Sequence, residues 1–232
     1  MQDFASAGPG DDLAALIDHT ILKPEASRAD VARHCDEAVA NGFASVCVNG
    51  VHVAFVAERL CGTPVKTCAV LGFPLGAGGA GAKAAEAAWL VGEGAEELDM
   101  VLDIGALREG DLDRVRADIA AVREASKGRV LKVILETCLL NEAQITAACR
   151  IAAEAGADFV KTSTGFSTGG ASVEVVELMR RTVGPDVGVK ASGGIRTAET
   201  ARAMVAAGAN RIGASASVAI VGAAKESASG GY

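Results

Sequence analysis

Two lysines in the second half of the sequence occupy positions where chemistry is expected. Lys161 lies in the run FVKTSTG and Lys190 in VKASGG, so each sits in an apolar stretch that ends in a polar, glycine-containing break. Burying an ammonium is costly unless it is paired or does chemistry. A buried lysine beside a second cation favours the neutral amine, which attacks an aldehyde or ketone to form a Schiff base. The pair therefore predicts Schiff-base chemistry, with structural ion pairing as the alternative.

Other charged residues alternate with apolar ones in the same kind of run. In ELDMVLD, alternation places Glu97, Asp99, Val101 and Asp103 on one side, opposite leucines and a methionine. By the same rule Lys66 and Cys68 face inward in VKTCAVL, as Lys132 and Glu136 do in LKVILET and Cys47 does in SVCVN. Lys66 and Lys132 come near the start of their runs, so we expect both to form a structural layer of ion pairs.

A phosphate site is predicted near the end of the chain. The segments SGG (192–194) and GAS (213–215) follow the last two candidate strands, and glycines let backbone N–H groups approach an anion. A helix beginning near Ser215 or Ser217 would add a favourable dipole. Glycine is also common at ordinary turns, so this interpretation depends on the two nearby lysines.

The elements that must position these residues alternate between strand and helix. Eight short apolar runs predict strands, and the segments between them, rich in Ala, Glu and Arg, have helical spacing. Ser27, Asn141, Ser172 and Thr197 are candidate N-caps. Eight strand–helix units in one chain predict an α/β fold of the (β/α)₈ TIM barrel class. A doubly wound open sheet is the alternative, but no G-x-G-x-x-G follows the first strand.

Length and composition restrict the class of protein. The 232 residues predict a single domain over 1–232, with a short N-terminal segment (1–12) and a flexible C-terminal tail (226–232). The net charge of -7 and 3 % aromatic residues disfavour nucleic acid as a partner. We expect no membrane association and a cytoplasmic location. Six cysteines without a C-x-x-C pair and three histidines without zinc spacing disfavour a metal mechanism.

With these residues assembled, the sequence resembles the deoxyribose-phosphate aldolases nearly end to end. The similarity is carried by IDHTILKP, VCVN, VKTCAVLGFPLG, ELDMVLDIGAL, LKVILETCLL, FVKTSTGF, VGVKASGGIRT and RIGAS. It implies a TIM barrel that reversibly cleaves 2-deoxy-D-ribose 5-phosphate to D-glyceraldehyde 3-phosphate and acetaldehyde. It also implies that no metal or organic cofactor is used. The expected partners are phosphosugar and aldehyde substrates, with a homo-oligomer as an open possibility.

The resemblance also implies roles for individual residues. Lys161 matches the Schiff-base lysine, Lys190 the second lysine, and Asp99 the acid/base carboxylate. The substrate-binding residues expected from the family and from position are Asp18, Thr20, Cys47, Thr162, Gly165, Gly193, Gly194, Ser215 and Tyr232. Two of these have a second interpretation, because Cys47 is also expected as a small core residue and Tyr232 as part of a frayed tail.

Some positions depart from the commonest family pattern. Gly50 and His52 stand where many members have Pro and Tyr, Ser192 where Ala is frequent, and Ala216 where some members have a second Ser. None of these is one of the three catalytic positions. Two rival functions remain open: a transaldolase-like or other Schiff-base aldolase with a different acceptor, and a catalytically silent barrel that binds a phosphorylated metabolite.

Overall fold

Eight parallel strands close into a barrel in the computed structural model, which describes residues 13–229 and side chains as far as Ala224. Each strand pairs with the next in sequence, and β8 pairs with β1, so the sheet has no open edge. The predicted TIM barrel is confirmed and the open sheet is excluded. The strands are β1 (Ile17–Ile21), β2 (Ser45–Val48), β3 (Lys66–Leu71), β4 (Glu97–Val101), β5 (Val130–Ile134), β6 (Phe159–Lys161), β7 (Gly188–Ser192) and β8 (Arg211–Ala214).

Helices lie between consecutive strands and after the last one. They are α1 (Arg28–Asn41), α2 (Val53–Leu60), α3 (Ala80–Gly92), α4 (Ile104–Glu109), α5 (Leu112–Ala125), α6 (Glu142–Glu154), α7 (Val173–Val183), α8 (Ala198–Ala206) and α9 (Ser217–Ser229). Short 3₁₀ turns cover Leu13–Leu16, Gly50–His52 and Thr137–Leu139. No helix within the described ranges is long and apolar enough to cross a membrane.

Local capping explains where several helices begin. Ser27 and Asn141 form reciprocal capping boxes with Asp30 and Gln144, which satisfy backbone N–H groups at both partners. Ser172 and Thr197 each accept a hydrogen bond from the backbone N–H three residues later. All four predicted N-caps are therefore confirmed, and each fixes the point at which a loop from the barrel's upper rim enters its helix.

Alternation along the strands separates an apolar shell from a charged interior. Leu98, Met100 and Leu102 are fully buried in the hydrophobic core between the strands and the helices. Asp99 and Lys132, which alternate with such residues, are also fully buried, but they make their contacts inside the barrel. The predicted division of each strand into an apolar face and a charged face is confirmed for β4 and β5.

Lys66 and Asp103 were wrongly assigned to the inner face of the barrel. Lys66 is 49 % exposed and pairs with Glu96 at 2.8 Å, because the first residue of β3 lies at the lower end of the barrel, within reach of water. Asp103 lies beyond the end of β4, where it caps α4 and pairs with Arg114. Neither side chain contributes to the barrel interior.

The ends of the chain are only partly described. The last helix continues to Ser229, four residues into the segment that the sequence predicts as a tail. Residues 1–12 and 230–232, and with them Tyr232, lie outside the described residues. The predictions for the N-terminal segment and for Tyr232 therefore stay predictions.

Candidate active site

The two lysines singled out by the sequence are direct neighbours across two strands. Lys161 is the last residue of β6 and is the Cα partner of Lys190 on β7. Parallel neighbouring strands lie about 4.8 Å apart, so the two side chains enter the barrel side by side. Lys190 is fully buried, and Lys161 is 3 % exposed and lines the main cavity. The pair thus lies at the upper end of the strands, where TIM-barrel active sites are built.

A single carboxylate oxygen joins both lysines. Oδ2 of Asp99 accepts hydrogen bonds from Nζ of Lys161 and from Nζ of Lys190, both at 2.7 Å. Oδ1 of the same group accepts from Lys132 at 2.8 Å and from the thiol of Cys68 at 3.3 Å. Asp99 therefore lies at the centre of the charged interior, touching three lysines at once.

Below this centre lies a second layer of charges. Arg211 donates to Asp18 at 2.7 Å and to Glu97 at 2.9 Å. Lys132 pairs with Glu97 at 2.6 Å, and Lys190 also bonds Asp18. These contacts satisfy the buried carboxylates and hold Lys190 from two sides, which is the arrangement that makes a buried ion cluster tolerable.

The charges of this connected network do not balance when every group is ionised. It joins four cations, Lys132, Lys161, Lys190 and Arg211, to three carboxylates, Asp18, Glu97 and Asp99. One neutral lysine would balance it. Within the described residues Lys161 pairs with only one carboxylate, whereas each of the other cations pairs with at least two. Lys161 is therefore the cation of this network with the fewest carboxylate partners.

The electrostatic surroundings keep the other groups ionised. Burial alone would raise the pKa of Asp99, but the charges of Lys132, Lys161 and Lys190 hold that pKa well below its ordinary value. For Lys190, burial alone would lower the pKa, and the carboxylates of Asp18 and Asp99 raise it well above the ordinary value instead. Lys132 behaves in the same way, with Asp99 as the main opposing charge.

A cavity of about 720 Å³ opens above Lys161. Thr20, Gly165, Gly193, Gly194 and Ser215 line it, together with Lys161. The N–H groups of Gly165, Gly193 and Gly194 donate to no protein acceptor within the described part of the chain. Since α9 begins at Ser217, two residues after Ser215, this corner presents free donors and a positive helix end to an anion.

The glycine loops that form this corner pack tightly on one another. A Cβ added to Gly170 would lie 2.2 Å from the carbonyl oxygen of Gly193, so only glycine permits this approach. Ser192 donates its hydroxyl proton to the carbonyl of Ser163 at 2.6 Å. The serine that replaces the more frequent alanine thus ties the end of β7 to the loop after β6.

Not every predicted substrate residue borders the cavity. Asp18 and Cys47 are fully buried below it, where Asp18 holds Lys190 and Arg211. The hydroxyl of Thr162 bonds the backbone of Ser192 in both directions and so links β6 to β7. These three predicted residues are placed to support the site rather than to line it.

Several lining residues were not predicted. Thr164, Phe166 and Ile195 flank the predicted glycines, and Arg196 adds a cation at the rim; the other unpredicted lining residues are Ile21, Leu22, Lys23, Glu25, Ala26, Asp30, Arg33 and His34. Ser192, Gly213 and Ala214, which belong to the two segments predicted as the phosphate site, also line the cavity. The loop after β1 brings Lys23 and Glu25 to the same opening. Arg196 lies two residues after Gly194, so its place beside an expected anion could have been predicted from GGIRT.

Some side chains of types that can ligate a metal lie close together. In the described part of the chain, three clusters bring three candidate ligands within 4.8 Å: His19, His34 and Glu37; Cys47, Cys68 and Asp99; and Asp18, Cys68 and Glu97. In the latter two, the carboxylates already bind lysine or arginine, so a metal ion would have to displace an ammonium or guanidinium group. The first lies on the opposite side of β1 from Asp18 and Thr20, where His19 bonds Glu37.

Comparison with known proteins identifies relatives of this site and fold. The pattern of the DeoC/LacD family aldolases matches residues 13–224. The chain is 58 % identical over 214 residues to deoxyribose-phosphate aldolase of Brevibacillus brevis, covering 92 % of this chain and 97 % of that one. It is 59 % identical over 224 residues to the enzyme of the same name from Rhodospirillum rubrum, covering 95 % and 94 % of the two chains.

A solved structure agrees with the sequence relatives. Deoxyribose phosphate aldolase from Aeropyrum pernix, described as a tetramer, superposes with a TM-score of 0.87 at 35 % identity, covering 94 % of this chain and 92 % of that one. The resemblance inferred from the motifs is thereby confirmed over almost the whole chain. This protein is a member of the DeoC/LacD aldolase family.

Proposed function

We propose that this chain reversibly cleaves 2-deoxy-D-ribose 5-phosphate to D-glyceraldehyde 3-phosphate and acetaldehyde, with Lys161 as the Schiff-base nucleophile. The observation that carries the proposal is the placement of Lys161. Lys161 lines the cavity and its amine has one carboxylate partner, whereas the neighbouring cations are held by two or more. The names of its close relatives support the choice of substrate.

The first step uses the pair on β6 and β7. The neutral amine of Lys161 attacks C1 of the open-chain sugar, and loss of water gives a protonated imine. Lys190 stays an ammonium because Asp18 and Asp99 hold it. Asp99 accepts a hydrogen bond from Lys161, and Lys190 donates to the same oxygen, so these two residues serve as the proton relay.

The second step breaks the C2–C3 bond. A base removes the proton of the C3 hydroxyl, the electron pair of the C–C bond moves toward the iminium nitrogen, and D-glyceraldehyde 3-phosphate leaves. The enamine on Lys161 is then protonated and hydrolysed to acetaldehyde. Throughout, the free N–H groups of Gly165, Gly193 and Gly194 would hold the phosphate at the opposite end of the cavity.

Borohydride trapping tests the nucleophile directly. The protein is incubated with acetaldehyde and borohydride, and the modified peptide is located by mass spectrometry. An ethyl group on Lys161 and its absence from the Lys161→Leu variant are expected. An adduct on Lys190 would reverse the roles of the two lysines.

The rival functions give different results in the same assay. A catalytically silent barrel would bind sugar phosphate without forming any adduct. A transaldolase-like enzyme would trap a ketone donor such as dihydroxyacetone in preference to acetaldehyde. An assay that measures acetaldehyde release during turnover of 2-deoxyribose 5-phosphate separates a transaldolase-like enzyme from the proposed reaction.

We also infer that the enzyme works as a homo-oligomer in the cytoplasm. Support for the oligomer comes from the Aeropyrum pernix relative, whose structure is described as tetrameric. Light scattering of the purified protein across a range of concentrations tests it, and a monomer at every concentration would contradict it. The cytoplasmic location is carried over from the sequence, and cell fractionation tests it.

A further inference from the structure

Glu136 has an unusual backbone. Its φ of +56° lies in the left-handed region, and it is the single non-glycine residue with positive φ in the described part of the chain. The sequence predicts Glu136 on the inner face of an extended strand, but β5 ends at Ile134 and the chain turns at this residue. Such conformations cost about 1 kcal/mol or more, and they persist where surrounding contacts fix them.

The turn inserts an extra residue beside the active site. The N–H of Leu135 donates to the carbonyl of Lys161 at 2.9 Å, and the N–H of Thr137 donates to that of Thr162, also at 2.9 Å. Between these two hydrogen bonds the chain after β5 moves forward by two residues, from 135 to 137, while the chain after β6 moves forward by one, from 161 to 162. Glu136 is the extra residue, and an extra residue of this kind re-aims a side chain.

The re-aimed carboxylate binds the loop after β6. Glu136 is 2 % exposed and accepts a hydrogen bond from the backbone N–H of Thr164 at 3.2 Å and another from its hydroxyl. The same hydroxyl accepts from the N–H of Phe166 at 3.0 Å. One buried carboxylate therefore fixes the residues on both sides of Gly165.

The contacts of Glu136 set it apart from the other buried carboxylates of the barrel. Asp18, Glu97 and Asp99 each pair with at least two cations, whereas Glu136 pairs with none among the described residues. Its other close polar neighbour is the thiol of Cys138, at 4.0 Å. The donors to its carboxylate are thus neutral groups, two of them from Thr164 in the loop.

We propose that Glu136 is a positioning residue for phosphate recognition: its carboxylate holds 164–166 so that the free N–H of Gly165 points at the phosphate of the substrate. This inference rests on the proposed function for the identity of the substrate. Thr164, Gly165 and Phe166 line the cavity and Glu136 does not, so Glu136 acts through the loop. It thereby determines the preference for phosphorylated over unphosphorylated sugar.

Inorganic phosphate provides a test that is independent of turnover. Its dissociation constant is measured by titration calorimetry for the unaltered protein, Glu136→Gly and Glu136→Gln. Glycine tolerates positive φ and removes the side chain without adding strain, whereas glutamine keeps an acceptor at the same reach. We expect Glu136→Gly to raise the constant about tenfold, the equivalent of one lost hydrogen bond. Glu136→Gln is expected to raise it less than about threefold.

A matched variant controls for general loosening of the segment. Asn141→Ala removes the cap of α6, five residues after Glu136, without altering any contact of the loop after β6. It is expected to lower the melting temperature without changing phosphate affinity. Phosphate binding by Glu136→Gly within twofold of the unaltered protein, or equal losses in Glu136→Gly and Glu136→Gln, would overturn the proposal.

Kinetics with two sugars completes the test. In Glu136→Gly we expect KM for 2-deoxyribose 5-phosphate to rise about tenfold while kcat falls less than about threefold. The ratio of kcat/KM for this substrate over that for 2-deoxyribose should fall accordingly, and an unchanged ratio would overturn the positioning role. Absence of turnover with both sugars in the unaltered protein would refute the proposed function instead, while the calorimetric result would still decide the role of Glu136.

Discussion

The amine of Lys161 lies 2.7 Å from Oδ2 of Asp99. That oxygen also accepts a hydrogen bond from the ammonium of Lys190, so one carboxylate offers a path for a proton between the two amino groups. The pKa of Asp99 is held well below its ordinary value, against the effect of burial, by Lys132, Lys161 and Lys190. In the proposed relay Asp99 therefore stays an acceptor through most of the cycle, and its protonated form is a short-lived carrier.

Replacement of Lys190 tests this relay. In Lys190→Leu we expect turnover to fall about 10²- to 10³-fold, because a positioned proton-transfer group and the cation beside Lys161 are lost together. Steady-state rates with 2-deoxyribose 5-phosphate measure the effect. Lys66→Leu is the matched control, because Lys66 is half exposed and pairs with Glu96 outside the barrel. Near-normal turnover in Lys190→Leu would contradict the relay.

A second buried ion pair lies outside the site and predicts a change in stability. Lys83 on α3 donates to Asp118 on α5 at 2.7 Å and to the carbonyl of Val101 at 2.9 Å. Lys83→Met leaves the carboxylate of Asp118 buried without its cation, so we expect a loss of about 3–5 kcal/mol in unfolding free energy. Urea denaturation measures it.

Two further variants show whether the buried charge causes that loss. The double variant Lys83→Met with Asp118→Leu removes both charges and should be more stable than Lys83→Met alone. In Lys66→Met the exposed pair with Glu96 is broken, and we expect a change below about 1 kcal/mol. A double variant less stable than the single one would refute the interpretation.

The inward positions of Lys132, Lys161, Lys190 and Asp99 could be predicted because strand alternation is local. Each follows from a run of five to seven residues with period two. Alternation fails at the ends of strands, where the backbone leaves the extended form. Lys66 at the first position of β3 reaches water, and Glu136 two residues after β5 turns away from the strand.

The ion pairs themselves could not be predicted, since they depend on closure of the barrel. Arg211 bonds Asp18, from which it is separated by 193 residues of sequence, only because β8 pairs with β1. Its contact with Glu97 crosses the barrel interior. A local pattern identifies a charged face, but which carboxylate meets which cation is set by strand register and by the length of each side chain.

The burial of His19 leads us to predict a loss of stability at acidic pH. Burial lowers the pKa of His19 from 6.5 to about 4, despite its hydrogen bond to Glu37. The folded state therefore holds His19 neutral, whereas the unfolded chain binds a proton below about pH 6.5. This contribution to stability is present above pH 6.5 and is lost as the pH falls toward 4. We expect a loss on the order of 2 kcal/mol between pH 7 and pH 5.

Urea denaturation at both pH values measures this loss, with His19→Gln as the comparison. Glutamine does not titrate and can still donate to Glu37. The difference in stability between the two proteins should therefore shrink as the pH falls from 7 to 5. A constant difference would show that His19 takes up its proton equally in both states.

Gly213 is predicted to set the position of Lys190. It lies on β8 as the Cα partner of Ser192 and of Asp18. A Cβ at this position would lie 3.0 Å from Cβ of Ser192 and 3.1 Å from Cε of Lys190, closer than ordinary contact. Because Asp18 and Asp99 both hold the ammonium, the lysine stem cannot simply move aside.

Gly213→Ala should therefore act on catalysis through Lys190. We expect about 1–3 kcal/mol of destabilisation from overpacking and a fall in kcat of about tenfold, since a small misplacement of a proton-transfer group is costly. Gly222→Ala is the matched control, because a Cβ on Gly222 meets nothing within 4 Å and α9 favours alanine. If Gly213→Ala lost stability but kept its kcat, the ammonium of Lys190 would tolerate displacement, and its distance from Asp99 would not limit turnover.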